Sequence, residues 1–199
     1  MMEVLKDLLA IADKFDKHLL LAINRVHTPW LDECMIFLTE KFVWIPLYVV
    51  IVAMLVKKFR SKVWLPLIVV ALIITASDQF ASGLMKPWIG RLRPCHVPEL
   101  QSQLHLVKGC GGTYGFISSH AANTFALATF LTLVFSLRWF SAGLFLWCSA
   151  VSYSRIYLGA HYPGDIVFGA ISGMIISYLF FQLFYYLNQK FYYNNTIRS

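Results

Sequence analysis

Between two strongly apolar stretches the chain places SRIYLGAHYPGD, Ser154 to Asp165, which brings an arginine, a histidine and an aspartate into one short polar segment. Two further segments carry the same kinds of residue: KPWIGRLRP, Lys86 to Pro94, and GFISSHAAN, Gly115 to Asn123. Together they suit a phosphate. Lys86, Arg93 and Arg155 can surround a dianion, and arginine fits this task because its planar fork binds two oxygens at once. Ser118 and the backbone N–H groups of Ser119 and His120 open an apolar run that reads as a helix, and a helix N-terminus favours an anion. Pro163 suits the first position of another helix, which leaves His161 just before it and Asp165 in its first turn. The carboxylate can then reach back to one ring nitrogen and fix the tautomer. A free ring nitrogen beside a caged phosphate is a nucleophile. A second histidine near the same anion, His120, favours its protonated form and can donate to a departing oxygen.

The elements that must hold these residues are membrane helices. Of 199 residues, 58% are hydrophobic and 14% are charged, against about 25% charged in a soluble domain. The expected fold is all-α, a single polytopic helix bundle over residues 1–199 with about five transmembrane helices. The spans are predicted at Cys34 to Val56, Val63 to Met85, Ala121 to Leu137, Trp139 to Tyr153 and Ile166 to Leu187. The first is interrupted by Glu40 and Lys41. Residues 1–28 mix Lys and Asp into apolar residues at helical spacing, without the layout of a cleavable signal. They predict an amphipathic helix, either lying in the membrane interface or packed against the bundle. The net charge of +7 is not laid out as a basic stripe, so a nucleic-acid partner is not expected.

Lys57, Lys58, Arg60 and Lys62 crowd one short connection, which predicts that it is cytoplasmic. Lys190 and Arg198 fall on the same side. Counting crossings, residues 86–119 form an outer loop, and Ser154 to Asp165 lies on that face as well. Lys86, Arg91, Arg93, Lys108 and Arg155 are therefore all on the side where cations are disfavoured, and an anionic ligand accounts for them.

Lys-x6-Arg-Pro, then Ser-x-His, then Ser-Arg-x5-His-x3-Asp, in that order, resembles the three-part signature of the type-2 phosphatidic acid phosphatase superfamily. That group includes membrane lipid phosphatases, soluble acid phosphatases and vanadium haloperoxidases. The resemblance runs from Lys86 to Asp165, and the flanking spans are similar to the membrane branch. It implies that His161 forms a phosphohistidine, that Asp165 orients it, and that His120 is the general acid that then activates water. It also implies that Lys86, Arg93, Ser118 and Arg155 bind phosphate, with the Ser119 N–H beside them, and that no metal or other cofactor is used. The second motif departs from the usual Pro-Ser-Gly-His: Ile117 and Ser119 replace proline and glycine, and Ser119 does not share glycine's freedom at positive φ.

The implied activity is hydrolysis of a lipid phosphate monoester or diphosphate at the periplasmic face of a bacterial cytoplasmic membrane. Undecaprenyl diphosphate or a lipid A phosphate is favoured, with phosphatidylglycerol phosphate and phosphatidic acid as further candidates. The competing reading is a transporter or channel for a phosphorylated anion, which would need the cations but not two histidines and an aspartate. Taken singly, each cation reads as a snorkelling side chain, and each histidine as a packing residue. Arg91 has no matched role and reads as a solvated or interfacial cation. His18, His27, His96 and His105 read as surface or interfacial. Asp78, inside a span, is expected to pair with Arg155 or Lys86. Cys34 and Cys148 read as packing residues. Cys95 and Cys110 bracket the outer loop and are expected to form a disulfide in an oxidising compartment, the alternatives being two free thiols or, less favoured, a zinc site.

Overall fold

The computed structural model describes residues 2–192; Arg198, counted above among the cytoplasmic cations, lies outside the described residues. The first helix, α1 (Met2–Asn24), is amphipathic. Thr28 accepts a hydrogen bond from Leu31 N at 3.3 Å and caps α2 (Pro29–Thr39), which starts on proline. At Glu40 the backbone turns extended. A short 3-10 turn, Lys41–Trp44, then leads into α3 (Ile45–Phe59), with Pro46 in its first turn. The single span expected from Cys34 to Val56 is thus two elements. The charges of Glu40 and Lys41 break it, and the apolar stretch long enough to cross a membrane is Lys41–Lys62.

α4 (Trp64–Asp78) runs through a π-helical segment, Gln79–Met85, into the short α5 (Lys86–Ile89). Gly90, at φ +65°, ends it in the left-handed conformation that glycine adopts without a steric penalty. The loop that follows holds α6 (Pro98–Gln101). Its two arms are tied by Arg93 N to Thr113 O at 3.0 Å, Gly115 N to Arg91 O at 2.8 Å, and the bond between Cys95 and Cys110, whose Cα atoms lie 6.2 Å apart. Three helices complete the described residues: α7 (Ser119–Phe135), α8 (Arg138–Tyr157) and α9 (Pro163–Tyr192).

The described residues form the expected all-helical bundle. Lys41–Lys62, Trp64–Ile89 and Pro163–Lys190 are long and apolar enough to cross a membrane. α7 is apolar but has only 17 residues, about 25 Å of rise. α8 is long enough at 20 residues but carries Ser141, Ser149, Ser152, Ser154 and Arg155 and is more polar. α7 lies at the centre, against α4, α8 and α9. Phe130, Leu131, Ile73, Leu55, Cys148 and Phe184 form the core around it.

The approach of α7 to α9 depends on two glycines one turn apart. A Cβ at Gly169 would stand 2.6 Å from Ser118 O, and one at Gly173 would collide with the Ala122 carbonyl. This is the small-x3-small pattern that lets two membrane helices touch through their backbones. Away from this core, α3 and α9 expose Val49, Val50, Val52, Leu179 and Leu183. An apolar surface of that extent belongs against lipid.

Candidate active site

The close packing of α7 and α9 sets the N-terminus of one helix against that of the other. Ser118 caps α7, its Oγ accepting from Ala121 N at 3.4 Å, while its own N–H donates to Asp165 O at 3.0 Å. Asp165 sits in the first turn of α9, fully buried. Its Oδ2 lies 3.3 Å from His161 Nδ1 and accepts the Tyr162 N–H at 3.1 Å. His161 is held from the other side by α8, since its N–H donates to Arg155 O at 3.2 Å. With Nδ1 committed to the carboxylate, Nε2 is the nitrogen left for chemistry. Burial, and then the nearby Arg93, Arg155 and Lys86, push the His161 pKa well below the usual imidazole range, so the ring is neutral.

The cations come from three elements. Lys86, on α5, donates to Ser119 Oγ at 2.7 Å and to Ser82 Oγ at 3.4 Å. Arg93 is buried in the outer loop. Its Nη1 donates to Cys110 O at 3.0 Å and to Ala160 O at 3.4 Å, and its Nε to Tyr114 O at 3.2 Å. Arg155, on α8, donates from Nη1 to Thr39 Oγ1, while its buried Nε has no protein acceptor. A buried donor of that kind is normally satisfied, so it is suited to an anion.

His120 stands on the first turn of α7 with one edge open to solvent. Desolvation, and then the nearby Arg155, His161, Lys86 and Arg93, nevertheless push its pKa down to about 3, so without an anion the ring is neutral. A bound phosphate dianion counters those cations and favours the proton. His120 lines a cavity of about 260 Å3 together with Ser119, Asp78, Thr39 and Lys41. Tyr48, Asn123, Thr124 and Trp147 line both this cavity and a second of about 400 Å3. The second runs between α3, α4, α7 and α8 and is walled by Ile51, Val52, Leu55, Leu67, Val70, Ile74 and Leu127. The cavity beside His120 therefore adjoins a more apolar one through those four shared residues. Ser119 is helical, at negative φ. In place of the usual glycine it adds a hydroxyl that grips Lys86 and also lies 2.8 Å from Ser82 Oγ.

His161, Asp165, His120, Lys86, Arg93, Ser118, Ser119 and Arg155 are thus brought together. Asp78 is not paired as expected. Its Oδ1 accepts from Asn123 Nδ2 at 3.3 Å and from Ser82 Oγ at 3.5 Å, and among the described residues it makes no ion pair with Lys86 or Arg155. Of these two hydrogen bonds, the one from Ser82 leads on to Lys86, since Ser82 Oγ also accepts from Lys86 Nζ at 3.4 Å. The π-helical segment separates Asp78 from Lys86, so their spacing along the chain is a poor guide to their contact.

Two residues read as peripheral are integrated. Arg91 is not solvated: it pairs with Asp165, Asp16 and Asp13 and stacks over Tyr162. Burial opposes its charge, but the carboxylates outweigh burial and hold its pKa above the ordinary value. His105, half-buried, lies 3.0 Å from Asp32 Oδ2 and stacks on His27, while Asp32 Oδ1 accepts from Tyr157 OH at 2.6 Å. This fastens the outer loop to α2 and α8. Cys95, His96 and Cys110 also cluster, but the disulfide occupies both sulfur atoms.

Residues 66–189 match the PAP2 superfamily. Lipid A 4'-phosphatase of Bacteroides thetaiotaomicron is 45% identical over 170 residues, covering 83% of this chain and 75% of its own. Lipid A 4'-phosphatase of Porphyromonas gingivalis is 30% identical over 177 residues, covering 88% of this chain and 75% of its own. Among solved structures, the transmembrane PAP2 type phosphatidylglycerolphosphate phosphatase of Bacillus subtilis has the same fold, with a TM-score of 0.68 at 22% identity over 85% of this chain and 84% of that one. With its membrane-length helices and this relationship, the chain is an integral membrane protein.

Proposed function

This chain belongs to the PAP2 superfamily, and on that premise we propose that it is a lipid phosphatase that removes a phosphate monoester from lipid A or a closely related lipid. The observation that carries the reading is the position of His120. It lies within electrostatic reach of the carboxylate-bound His161 and the three cations, and with Ser119 it lines a cavity that shares Tyr48, Asn123, Thr124 and Trp147 with an apolar one. A lipid can lie with its chain between α3 and α4 while its phosphate reaches His161.

Lys86, Arg93 and Arg155 bind the phosphate oxygens, with the N-terminus of α7 as a further donor. The His161 Nε2 lone pair attacks phosphorus and forms the P–N bond as the phosphorus–oxygen bond to the lipid breaks. His120 gives its proton to the departing lipid oxygen. Neutral His120 then takes a proton from water, whose oxygen attacks phosphorus. The P–N bond breaks, its electron pair returns to Nε2, and inorganic phosphate leaves. None of these steps calls on a metal. Asp165 holds the ring through Nδ1 and stabilises positive charge on it.

We place the site on the outer face of a bacterial cytoplasmic membrane, with residues 86–119 as its outer loop, because Lys57, Lys58, Arg60 and Lys62 mark the opposite end of α3 and α4 as cytoplasmic. The test is phosphate release by detergent-purified protein supplied with lipid A in the presence of EDTA, with undecaprenyl diphosphate, phosphatidylglycerol phosphate and phosphatidic acid as competing substrates. Release fastest from lipid A, and abolished in His161→Ala and His120→Ala, is the expected outcome, with a rate that peaks at intermediate pH. Binding without turnover would instead indicate an anion transporter. In sealed right-side-out vesicles, vanadate added outside should inhibit; inhibition only after permeabilisation would reverse the sidedness.

A further inference from the structure

Arg91 takes no part in the chemistry above, yet it is bonded to the carboxylate that serves His161. Its Nη1 donates to Asp165 Oδ1 at 3.0 Å and to Asp16 Oδ2 at 2.7 Å, and its Nη2 donates to Asp13 Oδ1 at 2.9 Å. The guanidinium carbon lies 3.8 Å above the centre of the Tyr162 ring. Asp16 grips the same turn a second time, because its Oδ1 accepts the Gly164 N–H at 2.7 Å. One arginine therefore joins α1 to the start of α9.

The two oxygens of Asp165 have separate duties. Oδ2 serves His161 and the Tyr162 N–H; Oδ1 has Arg91 as its partner. The carboxylate has no exposed surface, so without Arg91 one oxygen would be left unmet, or the group would rotate to share its remaining donors. Rotation would move Oδ2 away from His161 Nδ1. Arg91 is also unlike the three caging cations, because its hydrogen bonds all go to carboxylates and its face is covered by Tyr162. It is not built to receive a phosphate.

We propose that Arg91 is a positioning residue for the reaction. It holds Oδ1 of Asp165 so that Oδ2 stays aimed at His161 Nδ1, and it is itself held by Asp13 and Asp16 of α1. The N-terminal helix thereby belongs to the framework that sets the nucleophile. The inference rests on the phosphatase reading, and the two can fail separately.

The test is steady-state kinetics with a water-soluble short-chain phosphate ester across pH, for wild type, Arg91→Ala, Arg91→Lys and Asp16→Asn. Loss of an orienting partner typically lowers activity about 10- to 100-fold. A kcat loss of that size in Arg91→Ala, with KM within about threefold, is expected. The His161–Asp165 pair is faced by Arg91, Arg93, Arg155, Lys86 and His120, with Asp13 and Asp16 behind Arg91, and removing the Arg91 cation favours proton binding by the pair. The acidic limb of the kcat profile should therefore move to higher pH. Arg91→Lys should recover part of both effects, and Asp16→Asn should fall between Arg91→Lys and wild type. Unchanged kcat overturns the proposal. So does a loss expressed in KM, which would make Arg91 a substrate ligand. A kcat loss with an unmoved acidic limb and no recovery in Arg91→Lys also overturns it, since that is what simple structural damage gives. If Arg91→Ala does not fold, Arg91→Lys and Asp16→Asn carry the same readouts. If wild type itself releases no phosphate, or His161→Ala still does, the phosphatase reading is what fails.

Discussion

His161 is buried, neutral and bonded at Nδ1, and each of these properties has a consequence away from catalysis. An exposed histidine in the unfolded chain takes up a proton near pH 6.5, whereas the folded site resists that proton because burial and three cations oppose it. Below about pH 6.5 the unfolded state therefore binds more protons than the native state, so stability falls as pH falls. The contribution is complete above that value and declines, by at most about 1.4 kcal/mol per pH unit for one proton, until the folded ring is protonated. We expect thermal unfolding in detergent to show a decline between about pH 6.5 and 5, and a shallower one in His161→Asn, which cannot titrate. Parallel curves for the two proteins would contradict the neutral, buried ring. Among individual residues, those on the three polar segments were legible because their types and order identify one chemistry. Arg91 was not, because its partners Asp13 and Asp16 lie in a helix some 75 positions away, and a long-range ion pair leaves no periodic trace. Asp78 was misread because intramembrane acids are expected to find a cation, and here an asparagine and a serine satisfy it.

Helix pairs, more than single side chains, bring the two histidines to one place. α7 carries His120 and α9 begins beside His161, so any separation of these helices separates the general acid from the nucleophile. Gly169 and Gly173 permit the contact, and a side chain at either would meet the backbone of α7. Backbone cannot yield as a flexible side chain can, so even Gly173→Ala should be destabilising, by about 1–3 kcal/mol. Gly173→Leu should lower kcat by about 100-fold or more, since a shift of about 1 Å in a catalytic group has effects of that order. Wild-type turnover and melting temperature in Gly173→Leu would show that the helices approach for some other reason. The paired glycines stand in the sequence as a four-residue spacing, which by itself does not say which helix they face. The division of the first span at Glu40 was visible too, in the two charges that interrupt it. The π-helical segment before Lys86 was not, because no residue in Gln79–Met85 is a fixed marker of that geometry.

At the scale of the whole molecule, α1 is the element that looks both ways. Asp13, Asp16, Leu20 and Asn24 fall on one side of it, and Asp16, Leu20 and Asn24 are buried against the body. Val4, Leu8, Ile11 and Phe15, which follow a helical repeat on the opposite side, are between 58% and 68% exposed. A helix that gives Asp13 and Asp16 to Arg91 and turns these four apolar residues outward is suited to lie in the interface, apolar side down. Its inner contacts end at the nucleophile, and its outer face would rest in the leaflet that holds the substrate. Bilayer contact and nucleophile alignment would then share one element. Replacing Leu8 and Ile11 together by glutamate removes the apolar face without touching Asp13, Asp16 or the cavities. In detergent, turnover of a short-chain phosphate ester should stay near that of wild type. On lipid A embedded in proteoliposomes the rate should fall about 10-fold or more, because two buried apolar side chains, at about 1.5–3 kcal/mol each, no longer favour the interface. Equal rates in proteoliposomes would mean that α1 touches the bilayer without depending on it, and equal losses in detergent and bilayer would mean that this face instead supports the fold.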